Sequence, residues 1–339
     1  MKISNKKTFI IAEAGVNHNG SIKKALKLID IAKKSGADAI KFQTFKAENL
    51  ATNYAPKADY QKNKFLKEET QFQMLKKLEF TDAMHELCFK KCKKKKIIFI
   101  SSAFDIESLD YLKKFNISYY KVPSGEITNI PYLEFLGKLR KKIILSTGMS
   151  NIYEIKRAIK TLVKNGTKKN NIILMQCTSS YPAPYNEINL NTIATLRKKF
   201  KLNVGFSDHS LGVQASIAAV ALEATVIEKH ITLSKKLVGP DHKASLDPKE
   251  FKFMAKSIRI VEKCLGNKIK KISQSEKKNI YIVRKSIVAS TIIKKNDKFS
   301  ELNITCKRPG NGISPVFFKK LMGKKAVKNF YKNDLISLK

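Results

Sequence analysis

Nowhere does this chain hold the roughly 20 consecutive apolar residues that a membrane-spanning helix needs. Its first residues, Met1 to Lys7, pass straight into a strand pattern and not into the apolar stretch of a leader peptide. Both absences predict a protein of the cytoplasm with no membrane partner. Cysteine is sparse, and its five copies, Cys88, Cys92, Cys177, Cys264 and Cys306, are scattered and odd in number. That argues against a disulfide framework and leads us to expect plain thiols in a reducing compartment. Acidic residues are few too, 28 against 67 lysines and arginines, which leaves a formal net charge of +39. Such a charge invites a nucleic-acid reading. Arginine, however, is nearly missing: six residues, at 140, 157, 197, 259, 284 and 308, leave 61 lysines spread from end to end. Nucleic-acid surfaces cluster arginine because its planar fork reads phosphates and bases. Dispersed lysine instead describes a solvated surface whose positive field attracts anionic substrates, with no nucleic-acid partner.

What the chain does have is length and rhythm. At 339 residues and 43% apolar, it can bury the core of one large domain and a small one. Apolar strand-like runs alternate with amphipathic helical stretches up to about residue 265. That alternation belongs to a parallel sheet with crossover helices. Strands are predicted at 8–12, 37–42, 97–101, 118–122, 142–146, 172–177, 203–206 and 225–230. Helices fit between them, for example 21–35 with Ser21 as N-cap and Gly36 at its end, and 151–164 with Gly166 beyond. Eight strand-helix units of this size predict an α/β fold, a (β/α)8 TIM barrel over residues 1–265, better than an open doubly wound sheet. Residues 45–80 form a lysine-rich interruption after the second strand, where such barrels build their sites. Residues 266–279 read as a polar linker, and 280–339 as a small appended domain with short apolar runs at 286–289 and 303–306.

The strand ends are polar. In order they carry Glu13 with Asn17-His18-Asn19-Gly20, Lys41 with Gln43, Ser101-Ser102, Lys121 with Ser124-Gly125-Glu126, Ser146-Thr147-Gly148, Thr178-Ser179-Ser180-Tyr181, Ser207-Asp208-His209 and Glu228-Lys229-His230. A barrel closed only for stability has no need of lysines and carboxylates there, whereas the C-terminal rim of a TIM barrel carries its chemistry. Lysines and serines on these ends make a cradle suited to a phosphate, and Gly125 and Gly148 allow close backbone approach.

His209 and His230 end consecutive strands, which lie about 4.8 Å apart in a sheet, so both imidazoles can reach one ion. Two nitrogens plus waters suit manganese, magnesium or cobalt at an open site. Two unconnected histidines capping strands are the other reading, and spacing leaves both open. Glu228 sits on the same side of its strand as His230 and is a candidate to support a metal ligand from behind. His85, Cys88 and Cys92 share one side of a helix, but without a fourth ligand they predict no metal site, and Lys93 to Lys96 is a solvated face.

With these residues in view, the chain resembles the sialic acid synthase family. The resemblance runs through IAEAGVNHNG (11–20), KFQTF (41–45), KVPSGE (121–126), LSTGMS (145–150), YPAPY (181–185), GFSDHS (205–210), IEKH (227–230) and GPDHKASLD (239–247). KRPGNGIS (307–314) is similar to that family's C-terminal antifreeze-like (SAF) domain. The resemblance implies condensation of phosphoenolpyruvate with an N-acetylated mannosamine-type sugar aldehyde, in the manner of N-acetylneuraminate synthase, with a divalent metal, usually manganese. It matches His209 and His230 to metal ligands, and Lys41, Ser102, Lys121, Ser124, Ser146, Ser179 and Ser207 to the positions that hold phosphoenolpyruvate. Glu126 is matched to the group that orients or deprotonates the attacking water, with Glu13 and Lys121 as further catalytic candidates. Glu13, Gln43, Tyr181 and Asp241 resemble residues that grip sugar hydroxyls. Arg308 resembles an arginine that reaches from the small domain of one subunit into the barrel of its partner, which implies a domain-swapped homodimer.

The chain also departs from the family pattern. Ser102 stands where many relatives have threonine, and Ser179 where bacterial sialic acid enzymes have asparagine. Phe42 and Phe45 replace histidines of those enzymes, and together with 284–286 they lean toward a legionaminic acid synthase using 2,4-diacetamido-2,4,6-trideoxymannose, with an apolar wall near the sugar. Ser124-Gly125-Glu126 speaks against a pseudaminic acid synthase. Rival readings are a Schiff-base aldolase on Lys121 or Lys229 and a binding protein without catalysis.

Overall fold

Eight parallel strands close on themselves in chain order, and the first pairs with the last. In this computed structural model, which describes residues 7–58, 61 and 69–339, they are β1 (Phe9–Gly15), β2 (Ala39–Thr44), β3 (Ile98–Ala103), β4 (Tyr119–Val122), β5 (Lys142–Ser146), β6 (Ile172–Cys177), β7 (Asn203–Asp208) and β8 (Val226–His230). β1, β2, β3 and β7 run two or three residues further than their apolar runs suggest. The reason is that Glu13, Gln43, Ser102 and Asp208 stay in the backbone ladder although their side chains are polar.

Strand pleating explains the layering. Successive side chains point to opposite faces, so residues two apart share one. A small core cluster of Phe9, Ile11, Ala39, Ile100, Tyr119, Ile144, Ile173, Met175 and Val226 fills the barrel's lower interior. Two positions further along the same strands come Glu13, Lys41, Ser102, Lys121, Ser146 and Glu228. The alternate residues, such as Ile10, Phe42, Phe99, Val122, Leu145 and Ile227, join the larger core between strands and helices.

The helices form for local reasons. Ile22–Lys34 starts where the Ser21 side chain accepts from the Lys24 amide, and Gly36 beyond it takes a φ of +93°. Ile152–Lys164 starts with a capping box of Asn151 and Glu154. The interruption after β2 holds two short helices, Ala47–Leu50 and Gln71–Leu78, while 59–60 and 62–68 of that stretch lie outside the described residues.

The chain divides after Gly266 into two units. In the second, part of the 266–279 stretch read as linker is the start of a helix, Gln274–Val283, because Ser273 and Glu276 form a capping box. An antiparallel pair, β9 (Ser286–Ala289) with β10 (Ile304–Lys307), packs around a core that includes Ile287, Phe299, Leu321 and Phe330. None of the helices among the described residues is long and apolar enough to cross a membrane.

Candidate active site

The polar layer opens into a cavity of about 450 Å³. Glu13, Lys41, Gln43, Ser102, Lys121, Ser124, Glu126, Ser146, Ser179, Tyr181, Ser207, His209, His230 and Asp241 all line it. These residues come from every strand of the barrel or from the loop that follows it, so barrel closure gathers them.

Two lysines and two carboxylates form the floor. Lys41 Nζ lies 2.8 Å from Glu13 Oε2 and 3.7 Å from Glu228 Oε1, and donates to Ser102 Oγ at 3.1 Å. Lys121 Nζ donates to both oxygens of Glu228, at 3.0 and 3.2 Å, and the Ser207 hydroxyl donates to Oε1 at 3.0 Å. Burial alone would raise Glu228, but Lys121 and Lys41 outweigh it and hold the carboxyl at about 2. Burial together with the Glu228 charge pushes Glu13 up to about 7 despite Lys41. Of the two carboxylates sharing the Lys41 ammonium, Glu228 is held down by two lysines and Glu13 is pushed up by burial and by the Glu228 charge. Lys121 is lowered by burial, with Glu228 opposing. Lys41 is raised, because Glu13 and Glu228 overcome its burial.

Ser207 links this floor to the histidines, whose ring centroids lie 5.7 Å apart. His209 Nδ1 donates to the Thr178 carbonyl at 2.6 Å, which leaves Nε2 as the nitrogen with a lone pair, 3.1 Å from the Tyr181 hydroxyl and 3.3 Å from that of Ser207. His230 Nδ1 is buried with no hydrogen-bond partner, 3.6 Å from Asp241 Oδ2. Burial lowers both imidazoles, His209 to about 4, so both are neutral donors of electron pairs. An orphaned imidazole nitrogen beside a second neutral imidazole fits a divalent ion. Among the described residues no group of three or more His, Cys, Asp or Glu is arranged to hold a metal, so such an ion would take its remaining ligands from water and substrate.

The cradle is tight at Gly148. A Cβ there would meet the hydroxyls of Ser179 and Ser124, the latter at 2.7 Å, while the Gly148 amide donates to Ser124 Oγ at 3.1 Å. At Gly125 a Cβ would meet nothing within 4 Å, so that glycine is not required for packing. Glu126 accepts from Asn129 Nδ2 at 2.7 Å, and burial raises its pKa against that bond.

Several expectations need correction. Phe42 faces away from the cavity and stacks on Phe80 and Phe99, because its neighbours Lys41 and Gln43 take the inward positions. Phe45 stands behind the cavity, and the apolar wall itself is made by Val16, Leu50, Met74, Leu75, Leu78 and Phe104. Glu228 makes no direct hydrogen bond to His230; its oxygens accept from Lys121 and from Ser207, whose hydroxyl also lies 3.3 Å from His209 Nε2. Sequence reasoning missed the pairing with Lys121, because that partner arrives from β4. Lys229 is wholly buried outside the cavity, 3.0 Å from Asp208 Oδ2, and so cannot meet a substrate carbonyl. His85, Cys88 and Cys92 are buried in the helix Asp82–Lys95, with burial pushing Cys88 up to about 12. Asn17 and Asn19 tie the loop after β1 to the segment after β8, through the Ile231 and Val238 carbonyls at 2.9 and 2.7 Å. Arg308 belongs to the second unit, where it is exposed and its Nε donates to the Val283 carbonyl at 3.0 Å.

Known proteins share this chain's pattern. The NeuB family profile matches residues 28–270 and the SAF domain profile residues 284–339. An N,N'-diacetyllegionaminic acid synthase of Campylobacter jejuni subsp. jejuni serotype O:2 is 54% identical over 98% of this chain and 99% of its own. A protein of the same description from Legionella pneumophila subsp. pneumophila is 42% identical over 96% of this chain and 92% of its own. Among solved structures, the N-acetylneuraminic acid synthetase of Leptospira borgpetersenii serovar Hardjo-bovis aligns with a TM-score of 0.72 at 34% identity, covering 82% of this chain and 91% of that one.

Proposed function

The chain belongs to the NeuB family, and on that premise we propose that it joins phosphoenolpyruvate to 2,4-diacetamido-2,4,6-trideoxymannose, the reaction of a legionaminic acid synthase. It is a phosphoenolpyruvate-dependent nonulosonate synthase: a carbon–carbon bond forms between the enol carbon and the sugar aldehyde, water adds, and phosphate leaves. The observation that carries this reading is the cavity that Lys41, Lys121, His209 and His230 line together. The lysines offset the phosphate and carboxylate of phosphoenolpyruvate. Ser102, Ser124, Ser146, Ser179 and Ser207 orient it by hydrogen bonds. Glu126 accepts a proton from the water that adds to the oxocarbenium carbon. Glu13, Gln43, Tyr181 and Asp241 hold sugar hydroxyls. His209 and His230 would hold a divalent ion, with manganese first and magnesium or cobalt as alternatives; when bound it supplies Lewis-acid polarisation of the aldehyde.

We further propose a domain-swapped homodimer in which the exposed Arg308 of each small domain reaches the other subunit's barrel and contacts the N-acetyl group. The five free cysteines suit the cytoplasm.

Phosphate release tests the proposal. It is expected only with both substrates present, and with a higher kcat/KM for the 6-deoxy diacetamido sugar than for N-acetylmannosamine. A preference for N-acetylmannosamine would reassign the chain as an N-acetylneuraminate synthase, and no release with either sugar would overturn the synthase reading.

A further inference from the structure

One wall of this charged cavity is apolar. Val16 follows β1, Leu50, Met74, Leu75 and Leu78 come from the interruption after β2, and Phe104 follows β3. Val16, Met74 and Leu78 pack with Phe45 in one cluster, and Phe45 meets Phe104 edge to face with ring centroids 6.0 Å apart. The wall thus has a small apolar core of its own behind it. The amides beside it are engaged: Gln43 Nε2 donates to Glu13 Oε1 at 3.3 Å, and Gln71 Nε2 to Gln61 Oε1 at 3.3 Å.

We infer that this wall is the specificity subsite for the far end of the sugar, receiving the C6 methyl of a 6-deoxy substrate and rejecting a hydroxymethyl. The inference rests on the reading of the chain as a nonulosonate synthase for such a sugar. The cavity has two chemically distinct sides. His209, His230, Glu228, Lys41 and Lys121 contribute charged and imidazole groups to the lining, the wall contributes apolar ones, and Gln43 and Glu13 line the same cavity. A hydroxyl brought to the wall gives up water and meets aliphatic and aromatic carbon and a thioether, the weakest of acceptors, beside the Gln71 and Gln61 amides that are hydrogen-bonded to each other. A methyl there loses no hydrogen bond and leaves water. A hydrophobic pocket by itself separates such pairs by roughly ten- to a hundredfold.

The test compares 2,4-diacetamido-2,4,6-trideoxymannose with its 6-hydroxy analogue, 2,4-diacetamido-2,4-dideoxymannose, in the phosphate-release assay. Wild type is expected to favour the 6-deoxy sugar in kcat/KM by about tenfold or more. Met74→Gln, which keeps the length of the side chain and adds a donor and an acceptor, is expected to erase most of that ratio, while Met74→Leu retains it. Leu75→Gln, at a less buried position, repeats the test should Met74→Gln fail to fold. If both sugars change in parallel in the glutamine variants, or wild type does not discriminate, the wall does not select the C6 group. Turnover by wild type with N-acetylmannosamine alone would instead overturn the substrate reading on which the inference rests, and the wall assignment with it.

Discussion

Lys121 and Glu228, 107 positions apart in the chain, meet inside the barrel with the ammonium nitrogen 3.0 and 3.2 Å from the two carboxylate oxygens. Both side chains are buried, at 4% and 3% exposure. Removing one partner leaves the other charged and without its main partner in a low-dielectric interior, which costs about 3 kcal/mol or more. Lys121→Met and Glu228→Gln are each expected to lower unfolding stability by that order, and the double variant by clearly less than the total of the two. Urea unfolding of the four proteins measures the coupling. Additive losses would show that the pair does not act as a unit.

Removal of the proposed ion gives a second prediction. Chelation with EDTA is expected to abolish phosphate release, and manganese to restore it. His230→Gln is expected to lose metal affinity in a direct titration of the protein, a readout that does not depend on turnover. Full activity after exhaustive chelation would exclude a metal-assisted reaction.

Arg308 allows the proposed dimer to be tested through kinetics. Arg308→Ala is expected to raise the KM for the sugar roughly tenfold or more, as loss of a charge-assisted hydrogen bond does, while leaving metal affinity unchanged. An unaltered KM for the sugar would remove the cross-subunit contact from the proposal.

His85 gives the pH prediction. Its Nδ1 donates to the Thr81 carbonyl at 3.0 Å and its Nε2 accepts from the Thr44 hydroxyl at 2.8 Å, and burial lowers its pKa from 6.5 to about 4. Between those values the unfolded chain binds a proton that the folded protein refuses. The His85 contribution is therefore complete above pH 6.5 and is lost as pH falls toward 4, with a slope of up to about 1.4 kcal/mol per pH unit. Glu13 and Asp241, raised by burial to about 7 and 6, act in the opposite sense, since the folded state holds their protons more tightly. The informative quantity is thus the difference in slope between wild type and His85→Gln, measured by denaturant unfolding from pH 7 to pH 4.5. Equal slopes would contradict the assignment.

Much of the site was legible because a strand's pleat is covalent. Once Ile11, Ala39, Ile100, Tyr119, Ile144 and Val226 face the barrel axis, Glu13, Lys41, Ser102, Lys121, Ser146 and Glu228 must face it too. The same rule shows why Phe42 could not stand beside the substrate: with Lys41 and Gln43 inward, the residue between them points to the helices. Choosing it by chemical type, without the pleat, placed it on the wrong face. The wall that does line the cavity was not legible, because Met74, Leu75 and Leu78 lie in a lysine-rich stretch whose path over the rim no local pattern fixes. The helix Gln274–Val283 escaped notice for another reason: its polar composition resembles a linker, and only the Ser273 and Glu276 cap marks its start.

By itself, the sequence determined the order of strands and helices, the caps that begin the helices, and which side chains share a face, since each depends on neighbours within a few residues. Tertiary structure alone decided who meets whom across the barrel. Lys121 from β4 finds Glu228 on β8 while Lys41 from β2 stands between Glu228 and Glu13. That arrangement drives the two carboxyls in opposite directions, Glu228 down and Glu13 up, because burial and charge act through space and not along the chain.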